Sequence, residues 1–144
     1  MVMMVSLAAG CATGGAAEGG VEATAASEEA SRTVKAAFGV RKPKHVGVAL
    51  MSAHDMLHEE AAQSVEEVAI VACGPAIRAL ATDSKLADRV RQGLDEGVKI
   101  TACGVTVERM GFDATRFIEG VDVVPNGFIE LIRLQERGYH SVEL

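Results

Sequence analysis

The residues with the clearest chemical potential surround Cys103, in the run Gly97-Val-Lys-Ile-Thr-Ala-Cys-Gly-Val-Thr106. Residues 98–103 have the composition of a short buried strand, and Gly104 follows where a helix is predicted to begin. Backbone N–H groups and the helix dipole favour negative charge at a helix N-terminus, and they can lower the pKa of a cysteine from about 8.5 to about 3.5–7.5. Gly104 would allow a close backbone approach and leave N–H groups free to stabilise a sulfur anion. The alternative is that Cys103 is a small buried apolar residue, as free cysteines often are.

Cys73 is a second candidate thiol, because it also ends a predicted strand and precedes Gly74-Pro75. Sites in parallel sheets form beyond the carboxyl ends of the strands. If the strands that end at Cys73 and Cys103 are neighbours, about 4.8 Å apart, the two sulfur atoms can meet at one edge of the sheet. Cys73 would then be the resolving thiol of a redox pair. The alternative is a packed core residue, and the sequence does not fix the strand order.

One histidine pair has a spacing that can suit a metal ion. His54 and His58 lie four residues apart in a predicted helix, which can present two imidazoles to zinc. His54 borders the apolar face of that helix, His58 points to solvent, and no third ligand is evident in the sequence. Surface histidines without a metal are therefore the favoured interpretation. No phosphate loop, nucleotide-binding fingerprint or Ser/His/Asp set is present, so neither a metal nor a cofactor is predicted.

The elements that must position these side chains begin after Arg32, where strand and helix patterns alternate. Alternating apolar residues predict a strand over residues 34–40, and Pro43 suits the first turn of a helix. Residues 45–50 can pass for a strand, but the longer apolar spacing of i, i+3, i+4 and i+7 favours a helix. The apolar face of this helix consists of Val46, Ala49, Leu50, Ala53, Met56 and Leu57.

The rest of the chain repeats this alternation. Further strands are predicted at residues 65–73, 98–103 and 121–124, and a closing strand at 139–144. Short helical pieces are predicted at 76–80, 105–110 and 114–118, the last with Asp113 as its cap. Two longer helices are also predicted. The first is capped by Asp83 or Ser84, ends at Gly97 and buries the apolar residues Leu86, Val90 and Leu94. The second is capped by Asn126, ends at Gly138 and carries the apolar residues Ile129, Ile132 and Leu134.

This alternation predicts an α/β fold with βα crossover units and a mostly parallel sheet of about five strands, covered on both faces by helices. The length of 144 residues allows one domain. Of the net charge of −6, four negative charges lie in the first 31 residues, which leaves −2 for residues 32–144. A body that is near neutral and has no basic stripe argues against nucleic acid as the main partner.

The first 31 residues are predicted to be a leader and a flexible linker, because Ala and Gly make up 14 of them. Within them, Val5-Ser-Leu-Ala-Ala-Gly-Cys11 resembles the processing site of a bacterial lipoprotein signal, which would make Cys11 the lipidated residue. Such a protein would be anchored in the cell envelope. No Lys or Arg precedes this run and it is shorter than a usual signal, so a cytoplasmic protein with a disordered N-terminus is the alternative. No segment approaches the roughly 20 apolar residues of a membrane span, so any attachment would be by lipid.

Several short blocks of the chain together carry a family likeness. They are Val71-Ala-Cys-Gly-Pro-Ala-Ile77, the run around Cys103, Gly120-Val-Asp-Val-Val-Pro-Asn-Gly127 and Leu134-Gln-Glu-Arg-Gly-Tyr139. In this order and spacing they resemble the DsrE/DsrF-like family, over roughly residues 32–139. The resemblance implies a compact three-layer α/β sandwich that assembles as a homotrimer or homohexamer.

The resemblance also implies a function. Sulfur-carrier members of the family hold sulfur as a persulfide on a cysteine that matches Cys103, and they pass it to a partner protein. This implies a sulfur-relay protein, at most a persulfide sulfurtransferase, with sulfur donor and acceptor proteins as partners. Val105-Thr106-Val107 stands where many relatives have Asn-Thr-Met or Asn-Thr-Leu, so a polar neighbour of the thiol is absent at Val105. The alternatives are a non-catalytic oligomeric binding module and a redox pair of Cys73 and Cys103.

Overall fold

The computed structural model describes residues 33–58 and 64–144. The predicted leader and linker, with the lipidation candidate Cys11, lie outside the described residues, so that lipidation stays a prediction. The described chain forms one sheet of five strands, all parallel, in the order β4-β3-β2-β1-β5. The α/β fold with a parallel sheet of about five strands is therefore confirmed. The strands are β1 (Val34–Val40), β2 (Val65–Ala72), β3 (Lys99–Cys103), β4 (Asp122–Val124) and β5 (Tyr139–Glu143).

Four α-helices and two 3₁₀ segments in the described residues join these strands and cover both faces of the sheet. One face packs against α1, α2 and the first 3₁₀ segment and forms the larger apolar core. The other face packs against α4 and forms a smaller core that contains both cysteines. Within the described residues no helix is both long enough and apolar enough to cross a bilayer. The segments are α1 (Pro43–His58), α2 (Ala87–Asp95), α3 (Gly104–Arg109), α4 (Gly127–Glu136) and the 3₁₀ segments Gly74–Leu80 and Ala114–Arg116.

The segment after Pro43 is helical, as its apolar spacing predicts. Four of the six residues on the predicted face are buried, and Met56 and Leu57 near the end of α1 are partly buried against the same core. Asp113 and Asn126 cap their elements as predicted, because their side chains accept hydrogen bonds from the amides two residues later. The local apolar and capping patterns therefore determine most of these elements.

The predicted cap of α2 at Asp83 or Ser84 is wrong. The helix begins at Ala87, and its N-cap residue, Leu86, makes no side-chain capping hydrogen bond. Ser84 instead accepts a hydrogen bond from the Leu86 amide through its Oγ (3.1 Å), and its carbonyl accepts one from the Ala87 amide (3.1 Å). These two bonds form a tight turn before the helix, so the serine ends a turn where a cap is expected.

Helix α4 has apolar side chains on its outer side as well as on the side that packs against the sheet. Leu131 and Leu134 are buried against the sheet, whereas Ile129 and Ile132 are 48% and 55% exposed. Phe128, at the start of the helix, is also exposed. The outer side of α4 is therefore an apolar surface, which we call the α4 surface and define by Phe128, Ile129 and Ile132.

A cluster of hydrogen-bonded polar side chains connects the amino-terminal halves of four strands, on the same side of the sheet as α4. The Glu67 carboxylate on β2 accepts hydrogen bonds from Lys35 Nζ on β1 (2.5 Å), Tyr139 Oη on β5 (2.6 Å) and Lys99 Nζ on β3. These contacts lower the pKa of Glu67 to about 2, with the hydrogen bond from Lys35 as the largest cause. The cluster lies at the opposite end of the strands from the two cysteines.

Candidate active site

Cys73 and Cys103 meet at the carboxyl edge of the sheet. Strands β2 and β3 are hydrogen-bonded neighbours whose last paired residues are Ala72 and Ala102, and each cysteine comes next in its chain. Both carry free thiols, and both are buried, at 6% and 3% exposure. The condition for the two sulfur atoms to meet, that their strands are neighbours, is therefore fulfilled.

The Cys103 sulfur is held by polar groups from two different βα connections. The amide of Gly127, the first residue of α4, donates a hydrogen bond to Sγ at 3.2 Å. Weaker contacts with the amide and hydroxyl of Thr106 and with the Cys73 thiol act in the same direction. The Gly74 amide donates to Thr106 Oγ1 at 3.0 Å. Because this bond occupies an acceptor site of the hydroxyl, its proton is free to point at the sulfur.

These contacts favour the thiolate of Cys103. Burial raises the pKa of Cys103, since a charged sulfur loses hydration. The hydrogen bond from Gly127, the two contacts from Thr106 and the contact from Cys73 outweigh burial, so the pKa lies below its ordinary value. Hydrogen bonds to an anion stabilise the anion, and a lowered pKa is what makes a cysteine nucleophilic at neutral pH.

Cys73 has the opposite character. Burial, followed by the neighbouring Cys103, raises the pKa of Cys73 to about 12, and Arg41 offsets only part of this. Cys73 therefore keeps its proton and can share it with the Cys103 thiolate. The two cysteines thus differ in role, one as nucleophile and the other as a protonated neighbour.

Two glycines make the close packing of this edge possible. A Cβ at Gly104 would lie 2.9 Å from the Val124 carbonyl oxygen and 3.2 Å from that of Pro125. A Cβ at Gly127 would lie 2.5 Å from Cys73 Sγ. Gly104 thus permits the close backbone approach that the sequence suggests, whereas the amide that bonds the sulfur comes from Gly127.

An open cavity of about 720 Å³ leads to the two thiols. Its wall includes the apolar side chains of Val105, Met110 and Phe128 and the cationic side chains of Arg41 and Arg109. The Arg41 guanidinium lies over the Phe128 ring, 4.9 Å from its centroid, an attractive cation–π contact. The cavity therefore combines an apolar wall with positive charge next to a buried nucleophile.

Sequence reasoning assigns three residues of this site no role beside the thiols. Thr106 provides the polar neighbour that Val105 lacks, and its position three residues after Cys103, in the first turn of a predicted helix, was a usable signal. Gly127 and Arg41 carry no comparable local signal, because they reach the thiols only through the order of the strands.

The histidine pair lies away from the thiols. His54 and His58 occupy the last turns of α1, and both approach Glu96, the residue that follows α2. Among the described residues these three form the one group of His, Cys, Asp and Glu side chains with spacing suited to a metal ion. A third potential ligand is therefore present, although the sequence does not reveal it.

Comparison with protein families identifies the fold family. A family model described as the DsrE/DsrF-like family matches residues 17–144. The chain belongs to the DsrE/DsrF-like family. Comparison with curated proteins finds no match.

Two solved structures resemble this DsrE/DsrF-like protein in fold. A protein of unknown function from Methanobacterium thermoautotrophicum, MTH1491, is 24% identical with a TM-score of 0.68, over 77% of this chain and 99% of its own. A conserved protein of unknown function from Bacteroides thetaiotaomicron, BT1422, is 16% identical with a TM-score of 0.56, over 75% of this chain and 94% of its own. At these identities the likeness establishes the shared fold.

Proposed function

We propose that this DsrE/DsrF-like protein is a sulfur carrier that holds sulfane sulfur as a persulfide on Cys103. The observation that carries the proposal is the hydrogen bond from the Gly127 amide to Cys103 Sγ at the base of an open cavity. This bond favours the thiolate, which is the form that attacks another sulfur atom. The high pKa of Cys73 makes Cys103 the nucleophile of the pair.

Loading of Cys103 requires no oxidant or reductant. The Cys103 thiolate attacks the outer sulfur of a donor persulfide, R–S–SH, so that a new S–S bond forms and the S–S bond of the donor breaks. The donor leaves as the thiolate R–S⁻, and the outer sulfur keeps its proton and its oxidation state. An acceptor thiolate then attacks the same outer sulfur, and Cys103 leaves as a thiolate again.

The cavity restricts which donors can react. Cys103 is 3% exposed, so a donor must insert its terminal sulfur into the cavity. Arg41 and Arg109 line this entrance, and their positive charge attracts a donor that carries negative charge near its sulfur. The donor class supported by these groups is a persulfide that carries negative charge close to its sulfur, on a small thiol or on a protein.

The test is sulfur transfer to the reduced, folded protein from a low-molecular-weight thiol persulfide. We expect the mass of one sulfur atom on the peptide that contains Cys103. The Cys73→Ser variant should still be loaded, because this substitution leaves the Gly127 hydrogen bond in place, whereas Cys103→Ser should not. Absence of the adduct on Cys103, or equal loading of both variants, would contradict a carrier role.

The partners proposed for this carrier include copies of itself. Phe128, Ile129 and Ile132 of the α4 surface are between 47% and 55% exposed, and contiguous exposed apolar side chains are typical of protein contact surfaces. Phe128 also lines the thiol cavity. Assembly through the α4 surface would therefore bring a neighbouring chain to the entrance of the cavity.

The contact between the two thiols supports a second candidate function, a redox pair of Cys73 and Cys103. A low-molecular-weight disulfide, R–S–S–R, would supply the oxidation. The Cys103 thiolate attacks it and releases one R–S⁻, which takes the proton of Cys73 and becomes R–SH. The Cys73 thiolate then attacks Cys103 Sγ and releases the second R–S⁻. Non-reducing mass analysis after exposure to such a disulfide should show a chain lighter by two hydrogen atoms. A stable mixed disulfide on Cys103 without closure would refute the redox pair and leave the carrier role intact.

A further inference from the structure

His54, His58 and Glu96 form a convergent group of side chains at the far end of α1 from the thiols. His54 Nδ1 lies 2.9 Å from Glu96 Oε1, and His58 Nε2 lies 3.7 Å from the same oxygen. All three ligand atoms lie within 4.8 Å of one another. Helix α1 begins at the carboxyl edge of the sheet and its sixteen residues extend about 24 Å. The group is therefore separate from the thiol cavity.

We propose that His54, His58 and Glu96 bind a Zn²⁺ ion. Zinc in proteins is tetrahedral, with bonds of about 2.0–2.1 Å to imidazole nitrogen and about 2.0–2.2 Å to carboxylate oxygen. Such bonds place neighbouring ligand atoms about 3.3 Å apart. The two nitrogen–oxygen distances, 2.9 and 3.7 Å, fall on either side of this separation. All three ligand atoms lie within 4.8 Å of one another, and rotation of the two half-exposed imidazoles can bring them to the bonding separation.

The charge around the group favours a cation. Glu96 follows the last residue of α2. The C-terminus of a helix carries about half a negative charge, and the Glu96 carboxylate adds a full charge. An ion bound here would therefore face negative potential from the end of α2 and from the Glu96 side chain.

Glu96 is held in place before any ion binds. Gln92 Nε2 donates a hydrogen bond to Glu96 Oε1 at 2.8 Å. An outer hydrogen bond that orients a ligating carboxylate is a usual feature of metal sites. Gln92 is the orienting residue here.

The group leaves room for a fourth ligand. A cavity of about 150 Å³ adjoins His54 and Glu96, and Met51 and Arg89 complete part of its wall. Three protein ligands with an open position for water is the arrangement of zinc sites that also bind small molecules. Both imidazoles are about half exposed, so an ion can enter from solvent.

The contrasting explanation is a hydrogen-bonded His–Glu pair without a metal. Such a pair requires one imidazole, whereas here nitrogen atoms from two successive turns of α1 converge on one oxygen. The two explanations make different predictions for His58, whose 3.7 Å contact is too long for a hydrogen bond. If the group is a metal site, His58 contributes strongly to the affinity for the ion. If it is a hydrogen-bonded pair of His54 and Glu96, His58 contributes little.

The experiment is calorimetric titration of Zn²⁺ into the full chain with Cys11, Cys73 and Cys103 replaced by serine, so that thiols do not bind the ion. We expect one equivalent of Zn²⁺ per chain. His58→Ala should weaken binding at least tenfold, since loss even of an outer partner weakens metal affinity about 10–100-fold. His140→Ala, at an exposed histidine on β5, is the matched control and should leave the affinity unchanged.

A second readout locates the ion. In nitrogen NMR spectra, Zn²⁺ should shift His54 Nδ1 and His58 Nε2 and leave His140 unaltered. The absence of stoichiometric binding, or equal affinities for His58→Ala and His140→Ala, would overturn the proposal. Zinc bound with the His54 and His58 signals unmoved would overturn it as well.

Discussion

Replacing Gly127 with alanine is expected to disrupt the thiol pocket, although the change adds a single methyl group. The new Cβ would lie 2.5 Å from Cys73 Sγ and 3.1 Å from both Cys103 Cβ and Val71 Cγ1. Non-bonded carbon atoms pack at about 3.5–4.0 Å, so the start of α4 must move by about 1 Å. Overpacking of this kind costs about 1–3 kcal/mol. The same movement lengthens the Gly127–Cys103 hydrogen bond and thereby raises the pKa of Cys103.

Urea unfolding of four proteins measures this effect: the original chain, Gly127→Ala, Cys73→Ala and the double variant. The closest clash is with the Cys73 sulfur, so Cys73→Ala should recover part of the stability that Gly127→Ala loses. The two contacts at 3.1 Å remain and limit the recovery. The partial recovery should appear in the double variant as a coupling energy between positions 73 and 127 of about 0.5–3 kcal/mol, the range found for residues in direct contact.

Gly47→Ala is the matched control, because Gly47 also lies in a helix. A Cβ there would meet Leu86 Cδ2 at 3.6 Å, an ordinary contact. Alanine in a helix interior is favoured over glycine by about 0.5–1 kcal/mol, so Gly47→Ala should stabilise the protein. The reasoning is refuted if Gly127→Ala is as stable as the original chain, or if Cys73→Ala brings no recovery.

Three further predictions concern the thiol, acid stability and assembly. Thr106→Val removes a hydroxyl that favours the Cys103 thiolate, so the midpoint of pH-dependent thiol alkylation should move to higher pH; an unchanged midpoint would show that Thr106 has no part in activation. The pKa of Glu67 is lowered from 4.5 to about 2, so its contribution to stability is present above pH 4.5 and is lost as the pH falls towards 2. The Glu67→Gln variant should therefore have a lower free energy of unfolding than the original chain at neutral pH. It should also lose less of that free energy between pH 4.5 and 2, as measured by urea unfolding at each pH. Ile132→Ser on the α4 surface should reduce the molar mass in sedimentation, whereas Val48→Ser, at an exposed valine on α1, should not; equal masses for the two variants would exclude assembly through α4.

Local patterns in the sequence predict most elements of this fold. The bounds of β1 agree with the apolar alternation of residues 34–40, and the helical spacing after Pro43 identifies α1 despite its strand-like start. The N-cap of α4 at Asn126 is predictable from the side-chain chemistry of asparagine, since the capping hydrogen bond forms with an amide only two residues away. Each of these features depends on interactions between residues close in the chain, so it can be predicted from a short stretch of sequence.

Features that depend on strand order are not contained in local patterns. Cys103 is 24 residues from Gly127, and their hydrogen bond exists because β3 and β4 are neighbours. The same is true of His54 and Glu96, which meet across α1 and α2 over 42 residues. Ser84 illustrates a local failure: the same side chain can cap a helix or form a turn, and packing of the following residues decides between the two.

The dependence of Cys103 on Gly127 also has a consequence for biosynthesis. The chain is made from its N-terminus, so Cys103 is synthesised before the amide that stabilises its thiolate. Until α4 packs on the sheet, Cys103 has no hydrogen bond from Gly127 and its thiol has a more ordinary acidity. We therefore expect the docking of α4 to be the step that lowers the pKa of Cys103 below its ordinary value.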